Sequence, residues 1–369
     1  MTTIDIISRE NIKPSSPTPQ HLKTFNLSVL HQLIPAPYAP VIFFYTNQDH
    51  DQQQQLKISL SQTLTHFYPL AGTIKDDLSI DCDDTGAYYA TARVNTSLVE
   101  FLTHLDLDVI NRLLPCDPTF DGSGAGRTRV TNVQVNVFEC GGVAISLCIS
   151  HKILDGIALA TFVKCWASVH RVIRKLTRDE EVVYPDLTVC FLPAADSRLR
   201  DSSMVMWASL IKFGKCSTSR FVFDNCAIDK LKAEAIRRGV HQPTRVEVVS
   251  ALLWKCVMVA SNEKHGFEKP SLLSHVVNLR KRSGTVLSEN SIGNMVWVAS
   301  TKCGTMSDIK LHDLVNKVRG SILEINSEFV TKLQSDKGPQ KMHILQHDPE
   351  LLTFASLDPS PLQICEVDN

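Results

Sequence analysis

The sequence predicts an α/β (α+β mixed) protein made of two halves that each combine strands and helices. Three observations carry that expectation. At 369 residues the chain exceeds one typical core, and about two domains is the natural number. The stretch "NVQVNVFECGGVAISLCIS" (132–150) reads as a β-hairpin that runs straight into a helical pattern. Beyond a charged, aperiodic stretch from about 177 to 219, a second set of elements begins near 220. The expected division is 1–190 for the N-terminal domain, 191–219 for a crossover linker and 220–369 for the C-terminal domain.

Each element has its own signal. "PSSPTP" (14–19) is a rigid, turn-rich lead-in. "PVIFFY" (40–45) is β-branched and aromatic, hence a buried strand. Leu56, Leu60, Leu64 and Phe67 recur at helical spacing, and Pro69 stops the helix. "FDGSGAGR" (120–127) is a loop that lacks the lysine and Ser/Thr of a phosphate cradle. In the hairpin, Val133, Val135 and Val137 alternate and Gly141-Gly142 form the turn. On the returning strand, Val143, Ile145, Leu147, Ile149 and His151 share one face by period two. After Gly156, Leu159, Phe162, Val163, Trp166, Val169 and Ile173 mark a helix face. In the second half, "RFVFDN" (220–225) reads as a strand, and Asp229 to Arg238 as a helix stopped by Gly239. Thr244 and Glu247 make a capping box for a helix whose face carries Val248, Leu252, Leu253 and Cys256. "SHVVNLRKR" and "NMVWVAS" read as strands. Leu311, Leu314, Val315, Val318, Ile322, Ile325 and Phe329 stripe one long helix.

Composition narrows the function classes. Lys+Arg 38 against Asp+Glu 39 leaves a formal charge of -1, without the basic excess that grips a phosphate backbone, so no nucleic-acid partner is expected. The eleven cysteines form no CxxC pair, and several, such as Cys148, Cys165 and Cys256, lie in apolar runs; they read as buried free thiols. The N-terminus lacks the apolar core of a signal peptide, and no apolar run approaches the ~20 residues of a membrane helix. A cytoplasmic protein with no membrane partner and no bound metal is expected.

The chemistry concentrates in "ISLCISHKILDGIALATF" (145–162). His151 stands where the hairpin's second strand gives way to the next helix. Proton transfer near neutral pH suits an imidazole, whose ordinary pKa is about 6.5. Asp155 either takes the imidazole N–H directly or braces the turn through some cation, and Gly156 lets the chain turn tightly into the helix. A second His-xxx-Asp, His104 and Asp108, sits in an acidic segment with no strand before it and reads as surface structure. No G-x-S-x-G elbow supplies a nucleophile. Cys140 precedes the hairpin glycines and reads as structural. His343 and His347 have the spacing of a metal pair beside Asp348, but no third ligand is legible, so a solvated helix face is the better reading.

With these residues in view, the chain resembles the plant BAHD acyltransferases, and most closely their vinorine synthase-like group. "SHKILDG" (150–156) matches that family's His-x-x-x-Asp-Gly motif. Other segments agree in order and spacing: "IKPSSPTP" (12–19), "APVIFFY" (39–45), "FYPLAG" (67–72), "QVNVFECGG" (134–142), "VNLRKR" (277–282) and "NSIGN" (290–294). The resemblance implies two chloramphenicol acetyltransferase-like domains, each a mixed β-sheet with helices, and a channel at their interface. It implies a monomer acting on acyl-CoA, acetyl-CoA in this subgroup, as co-substrate rather than bound cofactor, and on the hydroxyl of a plant specialised metabolite such as an alkaloid or terpenoid.

The same resemblance makes His151 the general base and Asp155 its structural support, paired with an arginine, for which Arg280 is the match and Arg282 the reserve. Gly156 supports the turn, and by position Ile153, Asn294 and Ser300 are candidate channel contacts. The chain departs from the family pattern in two places. The Asp-Phe-Gly-Trp-Gly signature is absent, because the chain ends at Asp368-Asn369 where it would begin. His31 replaces the usual aspartate in "LSVLHQL" (27–33). A C-terminal domain that is apparently truncated leaves open an active enzyme, an inactive fragment or a non-catalytic member that binds small molecules without turnover.

Overall fold

A computed structural model describes residues 2–32, 34, 38–46, 52–76, 78–104, 107–118, 128–175, 182–187, 221–267, 270–284, 287–304, 310–334 and 352–356. The expected loop at 120–127, the linker 191–219, the His343/His347/Asp348 group and the last residues lie outside the described residues.

Those residues form two compact units. The first holds the described chain up to Leu187 together with the short strip Ser288–Asn294, and the second holds the remainder. The first unit runs β1 (Ile4–Ile12), β2 (Thr24–Asn26), α1 (Val29–Gln32), β3 (Tyr38–Tyr45), α2 (Gln52–His66), β4 (Thr73–Ile74), β5 (Ser79–Asp81), β6 (Ala87–Val94), α3 (Leu98–Thr103), α4 (Leu107–Arg112), β7 (Thr128–Arg129), β8 (Thr131–Phe138), β9 (Val143–Ser150) and α5 (Gly156–Ile173). Its main sheet has the order β1-β6-β8-β9-β3, with β6 and β8 parallel and the other neighbours antiparallel. A smaller sheet has the order β2-β5-β4-β7.

The hairpin forms as its alternation dictates. Val137 pairs with Val143 and Thr131 with Ile149, and Gly141 supplies the turn at φ +82°, where a side chain would be strained. One face of β8–β9 sends Val133, Val135, Val143, Ile145, Leu147 and Ile149 into the unit's core. Helices α2 and α5 cover that face: Leu60, Leu64, Phe162 and Trp166 join the same core, with Phe67 edge-on to Phe162 at 5.2 Å. The opposite face is satisfied by polar bonds. Asn136 donates through Nδ2 to the Leu113 carbonyl at 3.0 Å and to Ser146 Oγ at 3.3 Å. A strand with one apolar and one polar buried face cannot slip its register without turning the polar set into the apolar core. That fixes where β9 ends.

Helix α5 is the one described helix long and apolar enough to cross a membrane by length and composition. Its apolar stripe, Leu159, Phe162, Cys165, Trp166 and Val169, is packed in the core of the first unit instead.

The second unit runs α6 (Asn225–Arg237), α7 (Arg245–His265), β10 (Ser271–Asn278), β11 (Val296–Cys303), α8 (Leu311–Glu324), α9 (Ser327–Leu333) and β12 (Leu352–Ser356). Its sheet has the order β11-β10-β12, antiparallel then parallel. A separate core joins Val248, Ala251, Trp254, Met258, Leu273, Leu314, Val315 and Val318.

Five expectations change here. "RFVFDN" is not a strand: Phe221 and Val222 are 72% and 77% exposed, and Asp224 instead caps α6, accepting from Ala227 N at 2.7 Å. The helix therefore begins at Asn225, four residues before Asp229. The capping box of Thr244 and Glu247 starts α7 as expected, but the buried face is Val248, Ala251, Trp254 and Met258. Cys256 lies on the exposed side of α7, whereas Cys148 and Cys165 are buried. The stripe from Leu311 to Phe329 is two helices, because Asn326 restarts the chain by accepting from Phe329 N at 2.9 Å.

Candidate active site

Strand pairing ends at Ser150, and residues 151–153 turn before α5 begins at Gly156. The alternation that aligned His151 with Ile149 therefore stops one residue short of it. The turn is held from within: Ile153 N donates to the Ser150 carbonyl at 3.3 Å, and Lys152 N to Ser150 Oγ at 3.3 Å.

Asp155 is 4% exposed and is the N-cap of α5, its Oδ1 accepting from Ala158 N at 2.8 Å. An aspartate in this position satisfies an orphan amide of the first turn and places negative charge at the positive end of the helix dipole. Of the two roles open to it, holding the imidazole N–H is excluded, since the ring's partner is another residue. The expectation for Gly156 also needs correction. A Cβ there would meet nothing within 4 Å, and its φ is not positive, so neither backbone conformation nor crowding requires glycine.

The partner of His151 is Asn294, brought from 143 residues away on the strip that belongs to the first unit. His151 Nδ1 lies 3.2 Å from Asn294 Oδ1. Asn294 Nδ2 donates to the His151 carbonyl at 2.6 Å and to the Lys152 carbonyl at 3.1 Å. These last two bonds fix the amide's orientation, because only its NH2 donates to carbonyls. Oδ1 must then be the atom facing the ring, and it only accepts. Nδ1 must therefore carry the proton, which leaves the Nε2 lone pair of the neutral ring unprotonated. Asn294 is fully buried, so the amide is held on all sides.

The strip itself is anchored to the segment before it. Gly293, at φ +141°, makes the bend that a side chain would resist immediately before Asn294. Ile292 is buried in the first unit's core. Asp186 and Ser291 form an isolated parallel bridge.

Most of the other candidates have contacts of their own. Ile153 is fully buried in the apolar core of the first unit. Ser300 lies on β11 and shares a hydrogen bond of 3.1 Å with Ser274 Oγ. Arg280 is 2% exposed, in the second unit, with Nη1 donating to Asn278 Oδ1 at 3.3 Å. Arg282 donates to the carbonyls of Ile322 and Ile325, at 3.3 and 2.7 Å. His104 is exposed just after α3. Cys140 Sγ accepts from Leu98 N at 3.3 Å and is structural. His31 is buried, bonded through Nδ1 to Ser28 Oγ at 2.6 Å. No group of three or more His, Cys, Asp or Glu suited to a metal ion occurs among the described residues.

Fold and sequence together define a transferase: the Transferase family model matches residues 2–350, and the chain belongs to that family. Within it the chain is a BAHD acyltransferase of the vinorine synthase-like group, an enzyme that moves an acyl group from CoA to oxygen. It is 40% identical to the limonoid 7-O-acetyltransferase of Citrus sinensis, over 90% of this chain and 77% of that protein. It is 35% identical to the stemmadenine O-acetyltransferase of Catharanthus roseus, over 96% and 83%. The crystal structure of vinorine synthase superposes with a TM-score of 0.75 at 31% identity, covering 96% of this chain and 83% of that one.

Proposed function

We propose that the protein transfers an acetyl group from acetyl-CoA to a hydroxyl of a polycyclic plant terpenoid or alkaloid, with His151 as general base. The observation that carries the mechanism is the amide of Asn294, which confines the ring proton to Nδ1 and leaves Nε2 as the basic nitrogen.

The steps follow from that tautomer. Nε2 takes the proton of the acceptor hydroxyl as its oxygen attacks the thioester carbonyl. The imidazolium is steadied by Nδ1–H donating to Asn294 Oδ1. The tetrahedral oxyanion collapses, the C–S bond breaks, and Nε2 returns the proton to the departing thiolate. Transfer is direct, without an acyl-enzyme, as the resemblance implies. General-base transfer of this kind contributes about 10²–10⁴-fold. Asp155 shapes the turn, and Arg280 keeps the supporting role the resemblance implies for a buried cation. The acceptor class rests on the terpenoid and alkaloid acetyltransferases to which the chain is similar. The same reading makes the protein a cytoplasmic monomer with no nucleic-acid or membrane partner.

The test is release of free CoA thiol from acetyl-CoA in the presence of limonoid-type and indole-alkaloid alcohols, with product mass checked for the added acetyl group. Acceptor-dependent release that falls about 10²–10⁴-fold in His151→Ala is expected. Saturable acetyl-CoA binding without release from any alcohol would instead make the chain a binding protein.

A further inference from the structure

We propose that Asp186 is a positioning residue for the catalytic base, acting through the strip Ser288–Asn294 and Asn294 rather than on substrate. The proposal rests on the reading of His151 as the base.

Asp186 grips the strip with both backbone and side chain. Its N–H donates to the Asn290 carbonyl at 3.0 Å, and its own carbonyl accepts from Ile292 N at 2.9 Å. Its Oδ2 accepts from Ser288 Oγ at 3.2 Å and from Ser291 Oγ at 3.1 Å. Ser291 Oγ also accepts from Ser288 N at 2.9 Å, which closes the turn on itself. The strip has neither helix nor strand ladder to stiffen it. This carboxylate, the two backbone bonds and Ile292 in the core all help to set its shape.

The bend at Gly293 and the amide of Asn294 follow at once, so an error in the turn is passed on two residues later to the bond that fixes the ring. Catalysis punishes such errors heavily: a misplacement of about 1 Å at a reacting group costs up to about 10²-fold in rate. The side-chain bonds are the part of the grip that sequence can remove without touching the backbone bridge. A residue that only stabilised the fold would lower the melting temperature and scale with it; a positioning residue lowers kcat through Asn294 specifically.

The experiment is a double-mutant cycle on the full chain, Asp186→Ala and Asn294→Ala singly and together, with kcat and KM for acetyl-CoA and alcohol and a melting curve for each. Asp186→Ala should lower kcat about tenfold, as expected for a partial misplacement of the base, and leave both KM values within about twofold. In the Asn294→Ala background the same change should cost little, because its route to the ring is already cut. Asp186→Asn keeps an oxygen acceptor for the two serine hydroxyls and should recover most of kcat. Equal losses in both backgrounds would overturn the proposal, as would a loss confined to KM. Should Asp186→Ala not fold, Ser291→Ala removes one of the carboxylate's bonds by a smaller change, and the same non-additivity with Asn294→Ala decides the matter. His151→Ala is run alongside: full activity there sinks the base itself, whereas inactivity there with an additive cycle sinks only the role of Asp186.

Discussion

The amide of Asn294 does three jobs with one side chain: it ties down two successive carbonyls of the turn and selects the tautomer of the ring above them. Replacing it by leucine keeps the volume and removes every one of these bonds, leaving carbonyls buried without their donor at about 1–3 kcal/mol. Asn294→Leu should therefore melt lower and lose kcat more than its stability loss explains; unchanged turnover in soluble, folded protein would show that the tautomer is set elsewhere. The neighbouring bend gives a second measurement at this scale. At φ +141° Gly293 sits where residues with a Cβ are strained, and Gly293→Ala should cost on the order of 1–3 kcal/mol. Sequence revealed His151 and Asp155 because a strand, a turn and a helix face are all local. It placed Asn294 only as a position near substrate, since nothing in "NSIGN" says which chain segment it will meet. Asp186 carried no signal at all: a lone aspartate after Pro185 in a charged stretch looks like solvent-facing loop.

Among the elements, α5 depends most on its first residues. Asp155→Ala should lower stability by about 0.5–2 kcal/mol by uncapping the helix, while Asp155→Asn, itself a good cap, should recover the cap and lose only the charge. Melting curves of the two variants separate the cap from the charge. If asparagine proves as damaging as alanine, charge rather than capping dominates at this position. The elements that were legible in sequence are those whose signal repeats: the hairpin of β8 and β9, the stripes of α2 and α5, the capping box of α7. Those misread were decided by a single polar side chain. Asp224 turns a β-looking run into a helix start, and Asn326 divides what periodicity joins, because an N-cap acts on one amide while periodicity averages over many.

For the molecule as a whole, each unit keeps its own apolar core and each core offers a test. Leu64 in the first and Trp254 in the second are fully buried, and truncation to alanine should cost about 2–5 and 3–5 kcal/mol respectively, seen in denaturant midpoints. The second unit also carries an acid-sensitive clamp. Arg319 grips Glu247 through Nε at 2.9 Å and Nη2 at 2.7 Å, the carbonyl of His241 through Nη1 and that of Gln242 again through Nη2. Burial raises the Glu247 pKa, but the bonds from Arg319 and Thr244 outweigh it and hold the carboxyl below its ordinary 4.5. A lowered folded-state pKa means stability that is present above about 4.5 and is lost as pH falls through the lower value. Arg319→Met should thus melt lower than wild type at pH 7, by about 1–3 kcal/mol in free energy, with the gap closing as the pH drops below that of free carboxylates. A gap independent of pH would mean that the carbonyl bonds, not the ion pair, matter.

The assignment of Ser288–Asn294 to the first unit has a temporal consequence. During translation the histidine leaves the ribosome with its turn and helix, yet its asparagine follows 143 residues later. At about 5–20 residues per second, the nascent first unit waits some 7–30 s for the last piece of its own centre. The partner of the ring thus arrives late, after much of the second unit's sequence has been made, and a ribosome stalled before that point holds a chain with its histidine made and no amide to meet it.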